Sequence, residues 1–245
     1  MKLLIDADFT VYKCCAAAET EIDFGDDVIV VTSKFSEAYA CVMREIKKIQ
    51  RHFGSFDDII LFFSSPDNFR KKIQADYKGH RNRKKPCAYK RVINKLKTEF
   101  EVITMPTLEA DDAMGIYATQ HPGNIIVSPD KDMRQIPGML YNLEESTLIK
   151  PGEGAKWHLI QSAAGDNTDG YAGIPGVGIK KATQLFEEHG WSWKTLVKAF
   201  KEKGLSEEVA LMNSRLARIL TNDDYDHAKK KPILWNPSPD YVIND

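Results

Sequence analysis

Cysteine is scarce: four residues, at positions 14, 15, 41 and 87, in a chain of 245. No C-x-x-C pair occurs, and adjacent Cys14 and Cys15 cannot readily bond each other. This argues against a disulfide framework and a cysteine metal site, and reduced, structural thiols are the simplest reading. No apolar run approaches the ~20 residues of a membrane span. The opening Met1-Lys2-Leu3-Leu4-Ile5-Asp6 reaches charge too soon for a signal peptide. A cytoplasmic protein with no membrane partner is therefore expected. Internal repeats and low-complexity segments are lacking too. His52, His121, His158, His189 and His227 show no ligand spacing and read as surface or packing residues. An excess of positive charge is also missing, since 34 Lys and Arg stand against 35 Asp and Glu, a net charge of -1. The total argues mildly against nucleic-acid binding.

The distribution says more than the sum. Between Arg70 and Lys97 there are twelve Lys and Arg and a single acid, Asp76. The other acids gather elsewhere, so the chain is strongly dipolar. Its 42% hydrophobic and 28% charged residues are ordinary for a soluble globular protein and allow a sizeable core. The length suits one α/β domain, alone or with a small helical one.

Lys2-Leu3-Leu4-Ile5-Asp6 reads as a buried parallel strand that ends on a carboxylate. Val28 to Thr32 reads as a strand or hairpin arm. Ser36 to Phe53 carries apolar residues at helical spacing and stops at Gly54. Strands are predicted over Ile59 to Phe63, Val102 to Thr104 and Asn124 to Ser128, with a helix over Glu109 to Ala118. The basic stretch from Asn68 to Glu99 should be helical in parts, broken at Gly79 and Pro86. After residue 150 the strands fade into helices over Trp157–Ala164, Lys180–Glu188, Trp193–Lys203 and Ser206–Leu220. The expected fold is thus α/β, with a mainly parallel central sheet flanked by helices, then a C-terminal helical region. The division is residues 1–150, with an insertion at 68–99, and residues 151–245. Ligands in such sheets sit at the carboxyl ends of strands, where Asp6 and Asp130 fall.

Four groups of acids stand out: Asp6 with Asp8, Glu109 with Asp111 and Asp112, Asp130 with Asp132, and Asp166 with Asp169. Glu109 and Asp112 would share a helical face. Converging carboxylates repel and raise one another's pKa, unless cations lie among them. Oxygen-rich ligation suits Mg²⁺ or Mn²⁺. Two such ions about 4 Å apart can hydrolyse a phosphodiester. The alternative is a scatter of solvated acids, helix caps and turn residues, and Asp166-Asn167-Thr168-Asp169-Gly170 has ordinary turn chemistry.

Five segments carry a family likeness: Ile5-Asp6-Ala7-Asp8, Asp76-Tyr77-Lys78-Gly79-His80-Arg81, Glu109-Ala110-Asp111-Asp112, Ser128-Pro129-Asp130-Lys131-Asp132, and the run from Gly165 to Gly178. In these the chain resembles the 5′ nuclease, flap endonuclease-like superfamily, and most closely the short 5′→3′ exonucleases of tailed phages. The resemblance implies a PIN-like nuclease core and two metal sites. Asp6, Glu109, Asp111 and Asp112 would serve mainly the first; Asp130, Asp132, Asp166 and Asp169 mainly the second, with Asp8 a further member. It implies 5′→3′ exonuclease action on duplex DNA, flap cleavage, and removal of RNA from an RNA–DNA hybrid. It also implies a monomer, placed in the host cytoplasm if phage-encoded. The stretch at 68–99 becomes an arch over the site, in which Lys78 and Arg81 steer the scissile phosphate. Arg70, Lys71, Lys72, Arg83, Lys84 and Lys85 would hold phosphates by charge and counterion release, and Tyr77 would stack on a base or pack. Gly173, Gly176 and Gly178 allow backbone amides to approach a phosphate, a following helix near Ile179 adds its positive end, and Lys180 and Lys181 reach the same backbone. This is the pattern of a helix-hairpin-helix, whose carbonyls in the family can hold K⁺.

One departure stands out. The family carries another acid at the end of the second core strand, where this chain has Ser64-Ser65-Pro66-Asp67, with Ser65 at the matching position. Two rival readings stay open. Asp6-Ala7-Asp8-Phe9-Thr10 after an apolar strand fits a haloacid-dehalogenase-like phosphatase, which leaves the basic stretch and glycine hairpin unexplained. A DNA-binding protein with a decayed site would draw on the Ser65 departure.

Overall fold

The computed structural model describes residues 1–80 and 84–243. Strand β1, Lys2–Asp6, lies at the centre of a six-stranded sheet. It leads directly into helix α1, Ala7–Ala17. Helix α1 leaves no period in the sequence, because it lacks an apolar stripe: its buried residues are Ala7, Thr10, Val11, Cys14 and Cys15. A hairpin of β2, Glu19–Asp23, and β3, Ile29–Ser33, follows, then α2, Phe35–Phe53, and β4, Asp58–Phe62. The basic stretch contains the four-residue helix α3, Arg70–Ile73, and α4, Tyr89–Leu96. Next come β5, Glu101–Ile103; α5, Ala110–Gln120; and β6, Ile125–Val127. Strands β7, Gly138–Tyr141, and β8, Ser146–Ile149, close the sheet. Four helices follow: α6, Pro151–Ala164; α7, Ile179–His189; α8, Trp193–Glu202; and α9, Glu207–Ala217.

The sheet order is β5-β4-β1-β6-β7-β8, parallel except for the β7–β8 pair. Strand pleating explains how near-continuous apolar runs serve two faces. Leu3, Ile5, Ile59, Leu61, Ile125 and Val127 point to one side, against α1, α2 and α4. Leu4, Ile60, Phe62 and Ile126 point to the other, against α5 and the residues after β6. The chain fills one side of β1 with β4 and β5, then crosses to β6 on the other. The switch point therefore opens a crevice beyond the carboxyl ends of β1 and β6, as in other open α/β sheets.

The second half of the basic stretch departs from the arch expectation. Tyr89, Val92 and Leu96 of α4 are buried against the sheet, so α4 is a core helix with a charged outer face. Lys78 and Arg81, three apart, would share a face only if that segment were helical. Lys78 instead occupies a turn with φ of 53°, and Arg81 and Arg83 lie outside the described residues. The C-terminal helices enclose their own apolar cluster around Leu159, Phe186, Leu196 and Phe200. Buried amides also tie them to the sheet: Gln135 after β6 donates to Gln161 of α6 and to the Ala217 carbonyl of α9.

Candidate active site

The crevice at the switch point collects acids from segments far apart in sequence. Asp6 caps α1, accepting from the Phe9 amide at 3.3 Å and from Ser128 Oγ at 3.2 Å. Burial, then the charge of Asp8, pushes its carboxyl up to about 7. Glu109 caps α5, and Asp111 follows in the first turn. Asp111 is held well above the carboxylate range by burial and then by Asp130, Asp6 and Glu109. Its Oδ1 is buried and has no hydrogen-bond partner among the described residues. Asp130 begins a 3-10 turn over Lys131–Gln135 and accepts from the Asp132 amide at 2.8 Å. Burial and then Asp130 raise Asp132 to about 6, and the Gln161 side chain donates to it. Asp166 closes its own turn by accepting from Thr168 N, the turn chemistry expected, yet also faces this crevice.

A polar cleft of about 70 Å³ is lined by Glu109, Asp111, Asp130, Asp132, Asp166 and Asp169. That volume suits ions and water, not a nucleotide. A groove of about 710 Å³ between α8 and the tail, by Trp193, Val197 and Pro239, is larger but lies away from these acids. Among the described residues, no three carboxylate, histidine or cysteine side chains close around one point in ion-binding geometry in this conformation. Two ammonium groups lie between the acids instead. Lys78 Nζ pairs with Glu109 and, at 3.6 Å, with Asp169; Lys131 Nζ lies 2.7 Å from Asp166 and 3.4 Å from Asp132. Although burial acts the other way, Lys78 and Arg70 hold Glu109 down to about 2. The donor set is nevertheless all oxygen, and the orphaned Asp111 Oδ1 is the kind of buried atom a hard cation satisfies. These residues fit Mg²⁺ or Mn²⁺.

Several expected assignments need correction. Asp112 is fully buried, and its four contacts are all protein donors: Arg70 Nη1 at 2.7 Å, Arg70 Nη2 at 2.8 Å, and the amides of Glu109 and Leu220. It is a structural acid with no oxygen left for a metal. Arg70, expected on DNA, is 1% exposed and belongs to that pair. Tyr77 is buried too, its hydroxyl within 3.1 Å of Glu109 and 2.9 Å of Asp169, so no base can stack on it. Gly173 is kept small by packing: a Cβ there would lie 2.2 Å from the Ala164 carbonyl carbon. Gly176, with φ of 76°, and Gly178 are exposed, and α7 starts just after them. Lys71, Lys72, Lys84, Lys85, Lys180 and Lys181 are exposed, and Lys181 Nζ donates to the Gly176 carbonyl at 2.9 Å. Gln161, Ser64, Ser128 and Tyr89 also contact the acids; Ser64 and Ser128 lie in the quoted segments without a role assigned to them, and nothing in the sequence context of Gln161 and Tyr89 marks them out.

Residues 1–152 match the model of the 5′-3′ exonuclease, N-terminal resolvase-like domain. The chain belongs to the 5′-3′ exonuclease family, and is thus a nuclease and not a dehalogenase-like phosphatase. It is 27% identical to the exodeoxyribonuclease of Enterobacteria phage T3, over 96% of this chain and 92% of that protein. It is also 27% identical to the exonuclease of Escherichia phage T7, over 96% and 93%. In fold it is similar to the phage T5 D15 protein co-crystallised with metal ions, with a TM-score of 0.67, 15% identity and 88% of each chain covered. The catalytic core of Rad2 in complex with DNA shares the fold at a TM-score of 0.54, with 14% identity over 99% of this chain and 83% of that one.

Proposed function

We propose that the protein degrades duplex DNA from a 5′ end and cuts 5′ flaps, hydrolysing phosphodiesters with two divalent ions. The carrying observation is the convergence of acids from three distant segments, 109–111, 130–132 and 166–169, on one small polar cleft. A structural role would not gather so many like charges. It is equally hard to reconcile with a decayed site. The family membership and the phage relatives support the polarity of action. The metal-bound T5 protein and the DNA-bound Rad2 core, as folds, support metal and DNA as ligands.

Asp6, Glu109 and Asp111 would hold the first ion, and Asp130, Asp132, Asp166 and Asp169 the second, some through water. Bound there, the ions would activate water and neutralise the leaving oxygen. The rest falls to the chain. Lys78 holds Glu109 and Asp169 in place and puts a positive charge at the cleft, where a scissile phosphate would be drawn in; Arg81 is assigned the same task by resemblance. The exposed lysines of 71–85 draw in the 5′ strand. Gly176, Gly178, Lys180 and Lys181, at the start of α7, grip duplex backbone without reading sequence. Hairpin carbonyls could take K⁺ only if Lys181 gives up Gly176. Action on RNA of a hybrid, Mn²⁺ in place of Mg²⁺, a monomeric state and a cytoplasmic setting belong to the same reading.

The test uses 5′-labelled nicked, blunt, flapped and RNA–DNA hybrid substrates with and without Mg²⁺. Short 5′-phosphorylated products that depend on Mg²⁺ are expected. Asp130→Ala with Asp132→Ala should abolish cleavage and spare much of the DNA binding. Cutting at the normal rate by that variant would overturn the assignment.

A further inference from the structure

We propose that Asp8, on the first turn of α1, supplies the carboxylate that the second core strand lacks and so completes the first metal site. This rests on the two-metal reading above. Strands β1 and β4 run parallel with Asp6 opposite Phe62, so the residues just beyond Phe62 lie beside the start of α1. There the expected acid is replaced by serine. Ser65 is occupied with its backbone, donating to the Leu108 carbonyl at 2.9 Å. Ser64 is the informative residue. Its amide donates to Asp8 Oδ2 at 2.8 Å, and its Oγ accepts from the Ala110 amide at 3.0 Å. One residue at the end of β4 thus touches Asp8 on one side and, on the other, the residue between Glu109 and Asp111. Asp111 carries the buried oxygen that has no partner among the described residues.

The Asp8 carboxylate is fixed from three segments. It stands on α1, takes the Ser64 amide from the end of β4, and accepts from the Tyr89 hydroxyl of α4 at 2.7 Å on Oδ1. Each oxygen has one neutral donor and keeps lone-pair capacity for a cation. No ion pair to Asp8 occurs among the described residues. The contrast with Asp112 is instructive. Asp112 has two donors on each oxygen and an arginine to neutralise it; among the described residues Asp8 has one donor on each oxygen and no cation. A carboxylate anchored by an amide and a phenol, beside Asp6, is preorganised and uncompensated, which favours a divalent ion. The negative charge missing from the end of β4 has moved to the neighbouring helix, and Ser64, the residue before the replaced acid, holds the substitute in place.

A purely mechanical role, tethering α1 to β4 and α4, makes a different prediction. Asp8→Asn removes the charge and keeps both tethers in reach: its Oδ1 can accept from the Ser64 amide, and its Nδ2 can donate to the Tyr89 hydroxyl oxygen, which accepts as well as donates. Mn²⁺ binding to the full chain without DNA, counted by electron paramagnetic resonance of the free ion, separates the two. Asp8→Asn should weaken one of two Mn²⁺ sites at least about 10-fold, with the other site and the melting temperature of the metal-free protein unchanged. Ser64→Asp added to Asp8→Asn should recover affinity at that site. If Asp8→Asn binds both ions like the wild type while Asp111→Asn loses one, Asp8 is a tether only and the two-metal reading stands. If the wild-type chain itself binds fewer than two Mn²⁺ ions, the two-metal reading falls.

Discussion

Arg70 and Asp112 show how little a residue's type says about its task. Arg70 sits in a run of cations, and Asp112 in a run of acids. Each was expected to meet a ligand, yet they meet each other. The guanidinium donates twice to the carboxylate and also to the carbonyls of Leu216 and Arg218. The pair locks α3 and α5 to the end of α9, directly beneath Glu109. Breaking a buried pair leaves an uncompensated charge, which costs about 3–5 kcal/mol. Arg70→Met should therefore lower unfolding free energy by about that much, measured by urea denaturation. Adding Asp112→Leu should recover part of the loss, because the orphaned carboxylate is then gone. If Arg70 mainly bound DNA, the single variant would lose affinity at unchanged stability.

At the scale of elements, α6 is the hub between sheet and helical region. Gln161 reaches Asp132 in the cleft, and one turn earlier His158 faces α9. His158 is fully buried, its Nε2 lies 2.8 Å from the Ser214 carbonyl, and its Nδ1 has no partner among the described residues. The ring is therefore neutral in the fold, with the proton on Nε2. Burial, then the charge of Arg218, holds it down to about 3. Below its ordinary value of about 6.5 the unfolded chain takes a proton that the folded chain refuses. Stability then rises with pH from about 3 to about 6.5 and is level above. The term removes about 2 kcal/mol between pH 8 and pH 5. His158→Gln keeps a donor to Ser214 and removes the titration. The gap between wild-type and variant unfolding free energies should shift by that amount between the two pH values; a gap independent of pH would refute the neutral assignment. The hairpin before α7 is set by α6 as well. Ile174 N donates to the Ala163 carbonyl at 2.8 Å, a contact close enough that position 173 admits only glycine.

For the whole molecule, a net charge of -1 conceals a separation that suits a nuclease. The acids converge in the cleft, while exposed lysines stand on the 71–85 segment and at the start of α7. Binding to DNA should fall steeply with salt, since each neutralised phosphate releases counterions. Lys180→Ala with Lys181→Ala should lower the slope of log affinity against log salt by about 2, uniformly across sequences. Fluorescence anisotropy of a labelled duplex over a salt series would show it. An unchanged slope would mean that α7 does not meet the backbone.

Much of this molecule was legible in the amino-acid order alone. Strands β1, β4 and β6 announce themselves as apolar runs, α2 by its spacing, and the acid groups by their clustering at strand ends, because these signals depend on neighbours in the chain. The six-stranded order, α1, and the β7–β8 pair did not show, since a sheet edge and a helix of mixed burial leave no local period. What each charge does was decided only by folding. Asp111 and Asp112 are adjacent, yet one faces the cleft with an empty oxygen and the other is saturated by Arg70. Successive helical side chains point about 100° apart, and only the packed neighbours determine which direction holds a guanidinium and which holds room for an ion. Asp8 and Ser64, 56 positions apart, meet for the same reason: the pairing of β1 with β4 brings them together.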